Sequence, residues 1–329
     1  MLTYPVAVSE PCRTERQDSD AAEEPCPSPN DVPASGGFAA WAALAVVWIF
    51  WGSTYLAIRV ADRTIHPFPM AAVRYLAAGA MLYPVAWLGI RRRQAKASTS
   101  PAQWAGMAVV GTMLLAFGNG GVSYAERTLP SGLAALLVAS VPLWMTLADR
   151  VINGRRLRPG GWLALVLGLG GIAVLAQPHG HGAVLAVLAV LGASLSWGIG
   201  SVLAGRLPAP ASPLLGSAMQ MLCGGVVLAG LAASTGETVS SRPSASSLLA
   251  LCWLIGPGSL LALTCYTIAL RRLPTAVVST YAYVNPVVAV VLGALILGER
   301  LTLGTLLGGA VVVASVALLL ICGREPSRH

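Results

Sequence analysis

Charge is scarce in this chain. Asp, Glu, Lys and Arg make up 10% of its 329 residues, against about a quarter in a soluble domain. Lysine is all but missing, since 20 of the 21 basic residues are arginine. The six cysteines (Cys12, Cys26, Cys223, Cys252, Cys265 and Cys322) form no C-x-x-C pair, and no H-E-x-x-H or G-x-S-x-G run occurs. These absences argue against a zinc module, a metalloprotease helix and a serine-hydrolase elbow, so no metal, cofactor or catalytic residue is expected. Long apolar stretches are also missing from residues 1–37, which hold seven acids, two arginines and six prolines. Such a segment has no signal-peptide h-region and reads as a disordered acidic cytoplasmic tail.

What is there is apolar. Hydrophobic residues make up 56% of the chain and the mean hydropathy is +0.72. Surface of that kind must be hidden all round, and lipid is the solvent that hides it. The fold class expected is therefore an all-α polytopic membrane protein. The net charge of +8 does not indicate a nucleic-acid partner, because the arginines sit mostly in short loops between apolar runs.

Ten apolar segments follow the tail, near 39–59, 69–90, 103–123, 130–151, 160–177, 183–205, 211–233, 247–269, 274–297 and 301–322. Each has about the length of a transmembrane helix, and Pro, Gly or charge clusters mark every break. Counting Arg and Lys in alternate loops, 13 fall on the side of the termini and 6 on the other. The positive-inside rule then places both termini, including the short tail 323–329, in the cytoplasm of a cell membrane that we expect to be bacterial.

An internal repeat organises these segments. "LPSGLAALLVASVPLWMTLADRVINGRRLRPGGWL" from Leu129 matches "LPTAVVSTYAYVNPVVAVVLGALILGERLTLGTLL" from Leu273 without a gap. A shift of 144 pairs Pro130 with Pro274, Pro142 with Pro286, Gly154 with Gly298 and Gly160 with Gly304. Upstream, a shift of 146 pairs Trp51-Gly52 with Trp197-Gly198 and Gly79 with Gly225. Apolar helices match easily by chance, whereas Pro and Gly in ungapped register do not. Two five-helix units are expected, at residues 38–178 and 179–322. Five is odd, so the second unit enters the membrane from the opposite side, the arrangement of alternating-access transporters.

"WGSTYLAIRVADRTIHPFPMAAVRYLAAG", "GNGGVSYAERTLPSGLAALLVASVPLW", "SLSWGIGSV" and "STYAYVNPVVAVVLGALILGERL" together resemble the EamA type of the drug/metabolite transporter superfamily. The likeness is strongest to its YedA-like exporters and covers roughly residues 40–322. It implies ten helices in two inverted EamA repeats around a central cavity, and export of amino acids, amphipathic metabolites or drugs. In two places the chain departs from the pattern. Gly154-Arg155 stands where the family commonly has Gly-Glu, as at Gly298-Glu299, and Gln220 stands where glutamate is expected in the close branch.

A cavity in lipid needs polar groups facing inward. The candidates are Trp51, Ser53, Thr54 and Tyr55 on the first segment, Arg74 on the second, and Asn119 and Tyr124 on the third. Trp197 and Ser201 on the sixth, Gln220 on the seventh, and Tyr281 and Asn285 on the ninth complete the set. Tyr281 and Asn285, four apart, share a face, while Tyr283 points elsewhere. Pro142 and Pro286 are expected to kink their helices, and Gly304 and Gly308 to pack within the bundle. Arg74 lies roughly 8–10 Å into its helix, and the repeat places Gln220 at its register. It either snorkels to the headgroups or faces the cavity, held by Glu126 or Asp62 until a substrate carboxylate arrives. The acids beyond the tail all lie near segment ends or in loops, which favours gradient-driven export over proton antiport. The partners expected are a small-molecule substrate and the bilayer. A channel-like facilitator or a membrane scaffold is the alternative function, and no feature argues for a homodimer.

Overall fold

The computed structural model describes residues 37–92, 99–154, 157–175, 181–239, 242–273, 275–278, 280–300 and 302–322. Both tails lie outside them, apart from Gly37, as do 93–98 of the "RRRQAK" loop, Arg155, Arg156, Pro274 and His179. We label the helical runs in chain order. They are α1 (Phe38–Ala61), α2 (Pro67–Arg92), α3 (Pro101–Ala125), α4 (Ser131–Asn153), α5 (Pro159–Leu175), α6 (His181–Ala204), α7 (Pro213–Thr235), α8 (245–272), α9 (Thr275–Val278 and Tyr281–Leu297) and α10 (Leu303–Cys322). Among the described residues seven helices are long and apolar enough to cross a membrane, and α5, α9 and α10 contain shorter apolar helices. Their lipid-facing surfaces expose large apolar side chains such as Val166, Leu188, Leu249 and Leu295, the pattern of helices solvated by hydrocarbon.

The two largest buried cores each draw on both repeats. α1, α2, α7 and α8 contribute most of one, and α4, α5, α6 and α10 most of the other. The packing follows the repeat. α2 pairs with its counterpart α7, and α5 with its counterpart α10. The first helix of each repeat crosses to the other: α1 packs on α8 and α9, and α6 packs on α3 and α4. Glycine makes these crossings close. A Cβ on Gly79 would come within 3.1 Å of Met221 and Leu222, and one on Gly225 within 3.1 Å of Leu76. Gly308 similarly faces the carbonyl of Gly171, whereas Gly304 meets only the Thr302 side chain of its own turn. Of the two glycines expected in a helix contact, only Gly308 makes one.

Helix interruptions also repeat. α3 carries a π-helical stretch at Thr112–Asn119, and α8 carries one at Gly256–Leu261, starting 144 positions later. α4 is broken at Ala139–Ser140 just before Pro142, which opens its second segment. In α9, Pro286 sits inside the helix that starts at Tyr281.

Glu299 joins the halves at one end of the bundle. Its carboxylate accepts from the Ser131 amide (2.8 Å), the Ser131 hydroxyl (2.9 Å) and the Gly132 amide (3.1 Å). These are orphan donors at the start of α4, and a carboxylate there also meets the positive end of the helix dipole. Gly298, at φ +65°, makes the left-handed turn that brings Glu299 into place. Removing the cap by Glu299→Ala is expected to destabilise the protein by about 1–3 kcal/mol, read as a lower melting temperature in detergent. An unchanged melting temperature would show that the contact contributes nothing.

Candidate functional site

Arg74 is the buried cation at the centre of the site. Only 5% of it is exposed, so its charge does not reach out along the helix to water. Its Nε donates to the Ser259 hydroxyl at 3.0 Å, and its guanidinium carbon lies 4.9 Å from the centre of the Tyr75 ring. Among the described residues no carboxylate comes within ion-pair distance of it. The expectation that Glu126 or Asp62 holds Arg74 is therefore corrected, because a serine of the other repeat does so. Ser259 reaches Arg74 from the π-helical stretch of α8, where Gly258 keeps the backbone close: a Cβ there would lie 3.0 Å from Thr54 and 3.8 Å from the Arg74 guanidinium. π segments in helices recur at functional sites because they turn side chains off the regular register.

An aromatic wall stands beside this cation. Trp51 lies 5.1 Å from Tyr266 and 5.2 Å from Tyr281, ring centre to ring centre, and Tyr266 and Tyr281 are 5.8 Å apart. Tyr55, one turn beyond Trp51, interacts electrostatically with Tyr281, Tyr75 and Glu126. Thus α1, α2, α8 and α9 bring Trp51, Thr54, Tyr55, Arg74 and Tyr281 together. Ser53 borders the group, donating to the Phe50 carbonyl and accepting from the Trp253 indole at 3.0 Å.

The other candidates lie elsewhere. Gln220 is buried, and its amide donates to the Met107 sulfur at 3.4 Å. It thus faces α3, as its counterpart Arg74 faces α8. Trp197 packs over Gly118, whose Cβ would meet the indole at 2.9 Å, and Asn119 donates to the Leu114 carbonyl at 3.5 Å. Ser201 is buried on α6. These residues belong to the pseudo-symmetric α3–α6–α7 face and not to the Arg74 group. Tyr124 stacks on Phe68 at the end of α3, 6.0 Å between centres. Asn285 ties helices together, since its amide nitrogen donates to the Trp48 and Tyr281 carbonyls at 3.2 Å each. Tyr283 turns away to the Val316 carbonyl of α10. Sequence reasoning missed Tyr75, Tyr266 and Ser259. The "GPGS" run inside an apolar segment was a visible signal for Ser259, whereas nothing local marked the tyrosines.

Near the ends of α1, α3 and α9 lies a cavity of about 390 Å³ lined by Arg59, Asp62, Arg63, Arg127, Leu297 and Glu299. Arg59 donates to the main-chain carbonyl of Glu126, and Arg127 pairs with Glu237 at 3.5 Å. At this same end His66 Nδ1 lies 2.9 Å from the Thr238 carbonyl, and Phe68 N donates to Glu237 at 3.2 Å. Ser244 N donates to the Thr64 hydroxyl at 3.0 Å. Three segments of the first repeat and one of the second are thereby tied together.

A bundle of apolar helices in two interlocked, related halves, with a buried cation and aromatic wall between them, defines a multi-pass membrane protein with an internal polar site. The chain belongs to the EamA-like transporter family, whose model matches residues 38–177 and again 184–321. It is 39% identical over 285 residues to the uncharacterized inner membrane transporter YedA of Escherichia coli K12, covering 84% of this chain and 89% of that protein. The uncharacterized transporter YvbV of Bacillus subtilis is 26% identical, covering 84% and 90%, and protein PecM of Dickeya dadantii is 26% identical, covering 82% and 88%. A solved crystal structure, 21% identical, covers 86% of this chain and 97% of its own with a TM-score of 0.59. That likeness shows the shared fold.

Proposed function

We propose that the protein is a ten-span exporter in the bacterial cytoplasmic membrane. It moves small anionic or zwitterionic metabolites by alternating access between two inverted repeats. The observation that carries this reading is Arg74, a buried guanidinium with a single hydroxyl partner beside an aromatic wall. Burying a cation without a counter-charge costs several kcal/mol, and a substrate carboxylate matched to its planar fork removes that cost. The tyrosine and tryptophan faces suit the apolar part of an amino acid or amphipathic acid. Opposed five-helix units supply the two-state element, since the halves that meet at the site rock about an axis in the membrane plane.

Metabolite profiles of the medium from overexpressing and deletion strains test this without naming the substrate first. Anionic or zwitterionic compounds should accumulate with overexpression, and uptake of the leading compound by proteoliposomes should saturate. Unsaturable flux would mark a channel, and an unchanged medium would remove the export reading. The arginine bias places the "RRRQAK" loop inside and the "PHGHG" loop outside. Reporters fused after Gln94 and after His181 should therefore give opposite signals, active in the cytoplasm for the first and outside it for the second. Matching signals would remove the inverted topology.

A further inference from the structure

Two buried carboxylates have no task in this scheme. Glu126 follows the last residue of α3 and is fully buried, and neither of its carboxyl oxygens has a hydrogen-bond partner. Asp62 follows the last residue of α1, and both of its oxygens are likewise buried and unpartnered. The arginines nearby are turned to other groups: Arg59 to the Glu126 main chain and Arg127 to Glu237. A carboxylate buried without hydrogen bonds is far more costly than the neutral acid, so such a group keeps its proton.

Burial sets the direction, and the surrounding charges are divided. Burial drives Glu126 well above the ordinary carboxylate range; Asp62 and Glu299 add to the rise, while Arg59 and Arg74 oppose it. Burial pushes Asp62 up to about 8 against Arg127 and Arg59, with Glu237 adding. Asp62 lines the cavity between the ends of α1 and α9, with both of its carboxyl oxygens turned inward from it. In the other direction Tyr55 lies within electrostatic reach of both Glu126 and Tyr75, and Tyr75 lies under the Arg74 guanidinium. Titratable groups therefore run in succession from the cavity to the buried cation.

We propose that Glu126 and Asp62 form a proton-binding site linked to the Arg74 site, so that an anionic substrate binds to the protonated form. The linkage rests on Arg74 as the substrate's partner, whereas the proton site stands without it. While Arg74 is unoccupied, its charge is the one on α2 that favours ionised Glu126. A substrate carboxylate on Arg74 cancels that influence and raises the proton affinity of Glu126, and a protonated Glu126 in turn leaves Arg74 free for the anion. The empty site already holds its proton at neutral pH, so the proton stays on the carboxyl pair as the anion binds, and no bond to carbon changes.

The test is pH-difference infrared spectroscopy on the full chain reconstituted in lipid vesicles, which needs no substrate. The wild type should show a carboxylic-acid C=O stretch at neutral pH that disappears only on alkaline titration. Glu126→Gln and Asp62→Asn should each remove part of it. Arg74→Gln should raise the midpoint of the band, while Arg74→Lys, which keeps the charge, should not. A wild type with no such band at neutral pH overturns the proton site. An unshifted midpoint in Arg74→Gln overturns the linkage. Failure of the Arg74 reading itself looks different, because the band would persist while Arg74→Gln exports normally.

Discussion

Arg74→Gln is expected to abolish export while leaving expression and membrane insertion normal. The compounds enriched in the medium by the wild type should fall to the level of the deletion strain. Glutamine is shorter but carries its amide nitrogen at the level of arginine Nε, so it keeps a donor for Ser259. The packing of α2 against α7 and α8 then survives, while the charge that pairs with a substrate carboxylate is gone. Arg74→Lys separates charge from geometry. A lysine ammonium supplies the charge without the planar fork, so partial loss, on the order of tenfold or more, is expected. Export at the wild-type rate by Arg74→Gln would make the arginine a structural residue and remove the substrate role.

A comparably large effect is expected from fixing the halves to each other. Thr64, in the loop between α1 and α2, and Ser244, capping α8, have hydroxyl oxygens 3.4 Å apart. The two side chains already face each other, so cysteines at the two positions are within reach for crosslinking. In a background without the native cysteines, oxidation of the Thr64→Cys, Ser244→Cys pair should stop transport, and reduction should restore it. The two sites belong to different repeats, so the bond holds the Glu126 end of the bundle in a single arrangement. Transport that continues through a verified crosslink would show that the halves need not separate there, and would favour a channel-like path.

Glu126 illustrates how far a sequence carries an argument about charge. Its place in "YAERTLP", directly after an apolar segment, reads as a loop acid at the water boundary, and the helix ends where that pattern says it does. Burial is another matter. α3 packs at this end against α2 and α6, and the Arg59 guanidinium of α1 closes over the Glu126 main chain. A residue at the edge of a helix thus became one of the most enclosed polar groups in the molecule. Arg74 shows the reverse: its position two turns into an apolar helix left snorkelling and an inward-facing role both open, and its burial decided between them. The repeat also pointed to the opposite half, since Arg74 and Gln220 meet α8 and α3, each the third helix of the other unit.

Sequence by itself determined the membrane class, the helix positions to within about three residues, and the repeat, because hydrophobic length and the spacing of Pro and Gly are properties of a chain read in order. The family likeness rested on the same local words. Tertiary structure alone decided which polar residues share a space. Trp51 and Trp197 are equivalent in sequence, yet one meets two tyrosines and the other a glycine of α3. Asn285, an amide placed in the cavity on chemical grounds, serves the α1–α9 contact, and Ser259 reaches Arg74 only because α8 leaves regular helical geometry. The Arg74–Ser259 contact alone joins residues 185 positions apart in the chain. Such contacts depend on how helices from two repeats cross, which helical periodicity within one segment does not encode.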